Sequence, residues 1–154
     1  MNTADIHFQF DSIILVTRDP ERSEKFYKQA LGMHTVARIR DKDNNLITVQ
    51  LEREKLKILL SLADPHHQTD TPVHAGISSA SVVFNVDDVD KITDDFVRAG
   101  GILKSGPKQR YWGARTALLE DIDGHRWLFQ TLLGKTTVTE IQNMLAPWTY
   151  ESLE

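Results

Sequence analysis

The chain contains no cysteine. That absence excludes disulfides, thiolate zinc sites and thiol nucleophiles together. No apolar run approaches the ~20 residues that a bilayer-spanning helix requires, and the first ten residues, MNTADIHFQF, lack a basic segment followed by an apolar one. The resulting expectations are no membrane partner and a cytoplasmic location. Positive charge is in slight deficit, with 18 Lys and Arg against 22 Asp and Glu for a net charge of -4. No basic cluster is dense enough for a nucleic-acid footprint, so nucleic acid is not an expected partner. What remains is ordinary: 154 residues, 40% hydrophobic and 26% charged, the composition of a packed fold rather than disorder. The length suits one compact domain or two small repeats sharing a core.

The most informative stretch is Arg110 to Gln130, RYWGARTALLEDIDGHRWLFQ. It reads as an aromatic-glycine turn, a strand, a tight Asp121–Gly124 hairpin and a second strand, because Gly accepts the positive φ that such turns require. Moved back by 69 residues, it lies on the segment from Asp41 to Ser61. The same separation places Gly101 on Gly32, Ala99 on Ala30, Asp88 on Asp19 and Ser81 on Ser12. One ungapped separation covering a strand, a helix and three strands predicts two tandem βαβββ modules. Their expected bounds are 10–63 and 80–133, with a linker at 64–79 and a C-terminal helix and tail at 134–154.

In the first module, Asp11 to Thr17 is short, apolar and rich in β-branched residues, which predicts a strand. Asp19-Pro20 then opens a helix as N-cap and first helical residue, and Gly32 closes it near Leu31 in a left-handed cap. Three strands follow at 34–40, 46–52 and 56–62. Alternation sorts Ile47, Val49, Leu51, Leu56, Ile58 and Leu60 onto a helix-facing side. Leu46, Thr48, Gln50, Lys57, Leu59 and Ser61 fall on a mixed side. The linker carries two prolines and three histidines, and His66 and His67 read as solvated rather than chelating.

In the second module, a strand at 80–86 precedes a helix capped by Asp88 and carrying Val89, Ile92, Phe96 and Val97. Ile102 and Leu103 start another strand, and SGPKQRYWG reads as a long connection. A four-residue hairpin loop would pair Leu119 with Arg126, Ala117 with Leu128 and Arg115 with Gln130 on the mixed side, leaving Thr116, Leu118, Trp127 and Phe129 toward the helix. Trp127 is therefore expected in the core, and His125 as a structural residue. Residues 137–145 predict a short amphipathic helix. Trp148 is expected to pack on its own domain, with a partner subunit as the alternative.

The repeat, with TRDPERSEKFYKQALGM in one module and VDDVDKITDDFVRAGG and EDIDGHRWLFQ in the other, resembles the vicinal oxygen chelate superfamily of glyoxalase I, extradiol dioxygenases and bleomycin-resistance proteins. YWGARTALLEDIDGHRW followed by TVTEIQNML is most similar to its PhnB-like branch. The resemblance implies an α+β fold, two βαβββ modules forming a cupped mixed sheet plus a short C-terminal helix, and commonly a homodimer. Catalytic members hold one divalent metal through four side chains, which here fall on Ser12, Leu59, Ser81 and Leu128. Serine is a poor ligand and leucine none, so no metal and no cofactor are expected.

The expected function is binding or sequestering a small organic molecule on the mixed face. Its residues are Ser12, Thr48, Gln50, Lys57, Leu59, Ser81, Arg115, Arg126, Leu128 and Gln130, with Trp112 as a stacking cap or a loop anchor and Tyr111 as a weaker candidate. Lys57, Arg115 and Arg126 would favour an anion unless each pairs with a nearby carboxylate. The alternatives are a metal-dependent lyase, isomerase or dioxygenase with an unconventional metal site, and a non-catalytic interaction module.

Overall fold

The two N-cap aspartates set the frame. In the computed structural model, which describes residues 3–153, Asp19 Oδ1 accepts the Arg22 N–H at 3.0 Å and Asp88 Oδ1 accepts the Lys91 N–H at 2.9 Å. Each thereby satisfies one of the orphan donors that begin a helix. The elements of the first module are β1 (Ile13–Thr17), α1 (Pro20–Leu31), β2 (His34–Arg40), β3 (Leu46–Arg53) and β4 (Leu56–Leu62). A 3-10 turn at Pro65–His67 and the short helix α2 (Pro72–Ala75) follow. The second module comprises β5 (Ser81–Asn85), α3 (Val89–Arg98), β6 (Ile102–Arg110), β7 (Ala114–Glu120) and β8 (Arg126–Leu132), and α4 (Val138–Leu145) comes last. The linker is therefore not simple coil, since two capped turns order it.

The strands form two four-stranded sheets, ordered β1-β4-β3-β2 and β5-β8-β7-β6. In each, a parallel pair at one edge continues into an antiparallel hairpin and its neighbour. The expected pair of βαβββ modules is thus present, each forming one open mixed sheet, with β1 and β5 each at an edge. One side of each sheet packs on its helix and into a common core. Phe26 and Phe96 meet edge to face at 5.0 Å between ring centroids, and Trp127 stacks on Phe129 at 5.9 Å. Trp127 is fully buried, as its alternation predicts.

Three local expectations differ from the structure. The β7–β8 loop has five residues, so Glu120 pairs with Arg126, Leu119 with Trp127 and Ala117 with Phe129. This one-residue slip turns Ala117 and Leu119 into the core and Thr116 and Leu118 to the open side, the reverse of the predicted assignment. The supposed connection at 105–113 is strand as far as Arg110: β6 runs through it with two register shifts. Gly106, at φ +90, makes this possible, because a Cβ there would meet the Thr116 carbonyl oxygen at 2.3 Å. Trp148 is 75% exposed and does not pack on the domain.

A buried polar network joins the modules. The Tyr27 hydroxyl of α1 donates to Asp121 Oδ2 of the β7–β8 loop and accepts from Trp127 Nε1 at 3.1 Å. Asp121 Oδ1 takes the N–H groups of Asp123 and His125, each at 2.9 Å. His125 Nε2–H donates to the Val16 carbonyl of β1 at 2.7 Å, and Ser23 Oγ donates to Asp123 Oδ2 at 2.6 Å. His125 is thus structural, as expected. Burial, reinforced by the Asp121 charge, pushes the Tyr27 hydroxyl well above its ordinary range. Burial also raises the Asp121 carboxyl, against the opposing pull of His125, Tyr27 and the backbone N–H.

Two predictions follow from this network. Tyr27→Phe leaves the Trp127 N–H and one Asp121 oxygen without partners, at roughly 1–3 kcal/mol per group. Urea unfolding should therefore show a loss of about 2–6 kcal/mol. Because the folded-state value of Asp121 is raised, its contribution is fully present below the ordinary aspartate range and fades as pH rises through the raised value. The stability of the native chain minus that of Asp121→Asn should therefore fall as pH rises above the ordinary aspartate range. Contributions from carboxylates distant from Asp121 cancel in this difference.

Candidate functional site

The side of each sheet away from its helix carries the predicted site residues. On the first sheet the cross-strand rows are Ile14, Leu59 and Gln50, then Val16, Ser61 and Thr48, then Lys57 and Glu52. Ser12 lies two residues before Ile14 and so shares this side. On the second sheet the rows are Val83, Leu128 and Leu118, then Asn85, Gln130 and Thr116, then Ser81, Arg126 and Glu120. Ser12, Thr48, Gln50, Lys57 and Leu59 are brought together on one open face, and Ser81, Arg126, Leu128 and Gln130 on the other.

The two faces repeat one another. Each has an apolar middle row, Ile14–Leu59 in one and Val83–Leu128 in the other, at the same parallel register. Each also has a flanking row that opposes a cation to a glutamate. Lys57 Nζ lies 4.0 Å from Glu52 and 3.3 Å from Asp11, while Arg126 Nε lies 3.3 Å from Glu120, which also meets Lys104 at 3.6 Å. Asn85, Thr116, Leu118, Glu52 and Glu120 were not singled out from sequence. Glu52 and Asn85 lie at even spacing from Gln50 and Ser81, whereas Thr116, Leu118 and Glu120 were hidden by the one-residue slip of β7.

Arg115 is not on the open face. The register slip turns it toward α3, where Nε and Nη2 fork onto Asp90, each at 2.8 Å, and the guanidinium holds the Asp90 carboxyl below its ordinary value. All three cations expected to attract an anion therefore have carboxylate partners. The faces present matched charge rather than a positive field.

Trp112 is held as an anchor beside the second face. Its indole N–H donates to Gln130 Oε1 at 2.8 Å, and Gln130 Nε2 donates to Asn85 Oδ1 at 2.8 Å. Tyr111 packs edge-on against Trp112, and Arg110 lies 5.9 Å from its ring centre while donating from Nε to Thr116 Oγ1. A groove of about 340 Å³ opens between the linker and the charged row, lined by Val73, Ile77, Lys104, Glu120 and Arg126. Leu59 and Leu128 lie on different sheets, and each is half-buried.

The superfamily metal does not fit these faces. Its four expected positions hold Ser12, Leu59, Ser81 and Leu128, and the rows beside them offer Lys57 and Arg126, which repel a cation. Among the described residues, no group of three or more His, Asp or Glu side chains is arranged to hold an ion. The His67 ring instead meets Asp64 at 2.6 Å in an exposed turn.

A family model described as the glyoxalase/bleomycin resistance protein/dioxygenase superfamily matches residues 9–129. Among solved structures, TioX from Micromonospora sp. ML1 is 20% identical, with a TM-score of 0.63 over 81% of this chain and 100% of that one. Hypothetical protein SA1046 from S. aureus is 23% identical, with a TM-score of 0.60 over 80% and 96%. A glyoxalase-related enzyme from Fulvimarina pelagi is 20% identical, with a TM-score of 0.62 over 80% and 88%. These likenesses carry the fold alone, and comparison with curated protein sequences finds no match. On the family match and the duplicated βαβββ architecture, the chain belongs to the glyoxalase/bleomycin resistance protein/dioxygenase superfamily.

Proposed function

We propose that this chain binds a small organic molecule without using a metal, through the open faces of its two sheets. One observation carries this reading: the positions that would hold the superfamily's metal lie in or beside an apolar middle row repeated on both sheets, Ile14–Leu59 and Val83–Leu128. An apolar floor flanked by a few fixed polar groups is the usual make-up of a small-ligand site. Here those groups are Thr48, Gln50, Ser61, Asn85 and Gln130. With the cations paired, the ligand is selected by an apolar body and hydrogen-bonding groups rather than by net negative charge.

The working form in this proposal is a homodimer. Ile14 and Val83 are 63% and 54% exposed on the edge strands β1 and β5. Edge strands with exposed apolar side chains are surfaces that natural proteins cover. Joining β1 of one copy to β5 of another would bring one Leu59 face beside one Leu128 face and enclose the ligand between subunits.

Thermal melting of the purified chain, with its metal content measured, tests the reading. Chelator and added Ni, Zn, Mn or Fe are expected to leave Tm unchanged. A member of an aromatic and heterocyclic ligand panel should raise it, with stabilisation of about 2.7 kcal/mol at a hundred times Kd. Leu128→Arg should abolish that rise while the chain still folds, since Leu128 is only half-buried. Stoichiometric metal in the purified protein, or a metal-specific rise in Tm, would overturn the proposal. Sedimentation velocity showing only monomer at micromolar concentration would overturn the dimer.

A further inference from the structure

Given that the open faces bind a small organic molecule, we propose that the second face is built to receive a carbonyl oxygen, so that the ligand it takes is an aromatic ketone or carboxylate. The direction of one hydrogen-bond chain decides this. An indole N–H can only donate, and that of Trp112 donates to Gln130 Oε1 at 2.8 Å. Gln130 must then turn its amide nitrogen the other way, and it donates to Asn85 Oδ1 at 2.8 Å. Asn85 is left with its own amide nitrogen at the end of the chain, and neither of its side-chain N–H groups has a protein partner among the described residues. One donor-only group thus sets the polarity of two amides that could otherwise face either way.

Arg110 adds to the same polarity. Its Nε donates at 2.9 Å to Oγ1 of Thr116, the residue opposite Gln130 on β7, and its guanidinium lies 5.9 Å from the Trp112 ring centre. Its Nη1 and Nη2 have no partner, and no carboxylate pairs with it among the described residues. Unlike Lys57, Arg115 and Arg126, it keeps an uncompensated charge. The groups left wholly free in this row are therefore donors, whereas both amide oxygens already accept. A carbonyl oxygen has two lone pairs to offer them, and a donor-only ligand group would meet other donors and a cation. Val83 and Leu128 lie two residues from Asn85 and Gln130 and supply the apolar floor beneath the rest of the ligand.

The first face does not share this polarity. Sixty-nine residues earlier, Asn85 and Gln130 are matched by Val16 and Ser61, and Arg110 and Trp112 by Asp41 and Asp43. The row there is Val16, Ser61 and Thr48, whose hydroxyls both donate and accept. The donor chain is an addition to the second module alone, and it fixes which end of a ligand that face takes.

Acetophenone, benzoate and benzamidinium share a planar phenyl body and present a neutral carbonyl, a carboxylate and donors only. Each would be titrated at neutral pH into the full chain and followed by NMR of the backbone amides, the Trp112 indole and the Asn85 and Gln130 side-chain N–H groups. Acetophenone and benzoate are expected to give saturable shifts at the Asn85 side chain and the Leu128 amide, with Kd in the millimolar range. Benzamidinium should bind about tenfold more weakly. Tighter binding of benzoate than of acetophenone would assign the face to carboxylates through Arg110, and equal or weaker binding would assign it to ketones. In Asn85→Asp one carboxylate oxygen keeps the Gln130 bond and the other replaces the free donors. This exposed substitution should weaken acetophenone and benzoate about tenfold and strengthen benzamidinium. Trp112→Phe keeps a ring but frees Gln130 to turn, and should narrow the preference. Benzamidinium binding the native second face as tightly as the other two, or an order unchanged by Asn85→Asp, would overturn the carbonyl assignment and leave ligand binding by the faces intact. Absence of saturable shifts at both Leu59 and Leu128 with all three compounds would overturn it together with the reading of the faces on which it rests.

Discussion

The hydroxyl of Tyr27 is the constraint on which the arrangement of the two modules depends. It lies on α1 of the first module, yet both its partners, Asp121 and Trp127, belong to the second. Buried polar groups are tolerated only when hydrogen-bonded, so any sliding of one module over the other would strand three of them at once. The apolar contacts around them, such as Phe26 on Phe96, are far less directional. Burial of aromatic surface supplies the attraction, and the tyrosine network selects one register from the many that would satisfy it. The duplication is asymmetric here: the position matching Tyr27 in the second module is Phe96, and the one matching Trp127 in the first is Ile58. Polarity is concentrated on one side of the pseudo-symmetric pair.

That asymmetry explains the slip in the second hairpin. The first module turns from β3 to β4 through Glu54 and Lys55, with Arg53 opposite Leu56. The second uses five residues, and Asp121 closes the loop by accepting the N–H groups of Asp123 and His125 while reaching inward to Tyr27. A two-residue turn has no side chain placed to do both. The longer loop also brings Gly124 against α2, where a Cβ would meet Val73 Cγ2 at 2.7 Å, so the linker docks on the same feature. Loop length, module contact and linker position are one solution rather than three.

The limits of the sequence reading follow from the same place. In β3, the run ITVQLE alternates cleanly between apolar and polar, and its two faces are assigned correctly. In β7, ARTALLE offers Ala117 and Leu119 on one side and Thr116 and Leu118 on the other, so alternation cannot choose between them. The outcome rested on the turn, and a buried aspartate is not visible in a sequence as such. Arg115 was misplaced for that reason alone, while Lys57, Leu59, Leu128 and Gln130 lie on strands whose register the repeat fixes. The Arg18–Asp70 pair was illegible for a different reason, because its members are 52 residues apart and one sits in a segment whose composition reads as solvated loop.

The repeat also separates what is inherited by duplication from what is added to it. The apolar middle row and the cation–glutamate row occur on both sheets, so they belong to the module itself. Lys57 with Glu52 and Arg126 with Glu120 hold the same relative places although the β3–β4 and β7–β8 loops differ in length. A charge pair retained across two such different hairpins is not set by the loops. It edges the apolar row, and exposed pairs of this kind contribute little stability, typically ~0–1 kcal/mol. The linker has no counterpart in the repeat, and it contacts both modules, through Arg18 on one side and the Asp123 carbonyl on the other. A segment that spans the joint in this way holds the β7–β8 hairpin beside the Asp121–Tyr27 contact that joins the two modules.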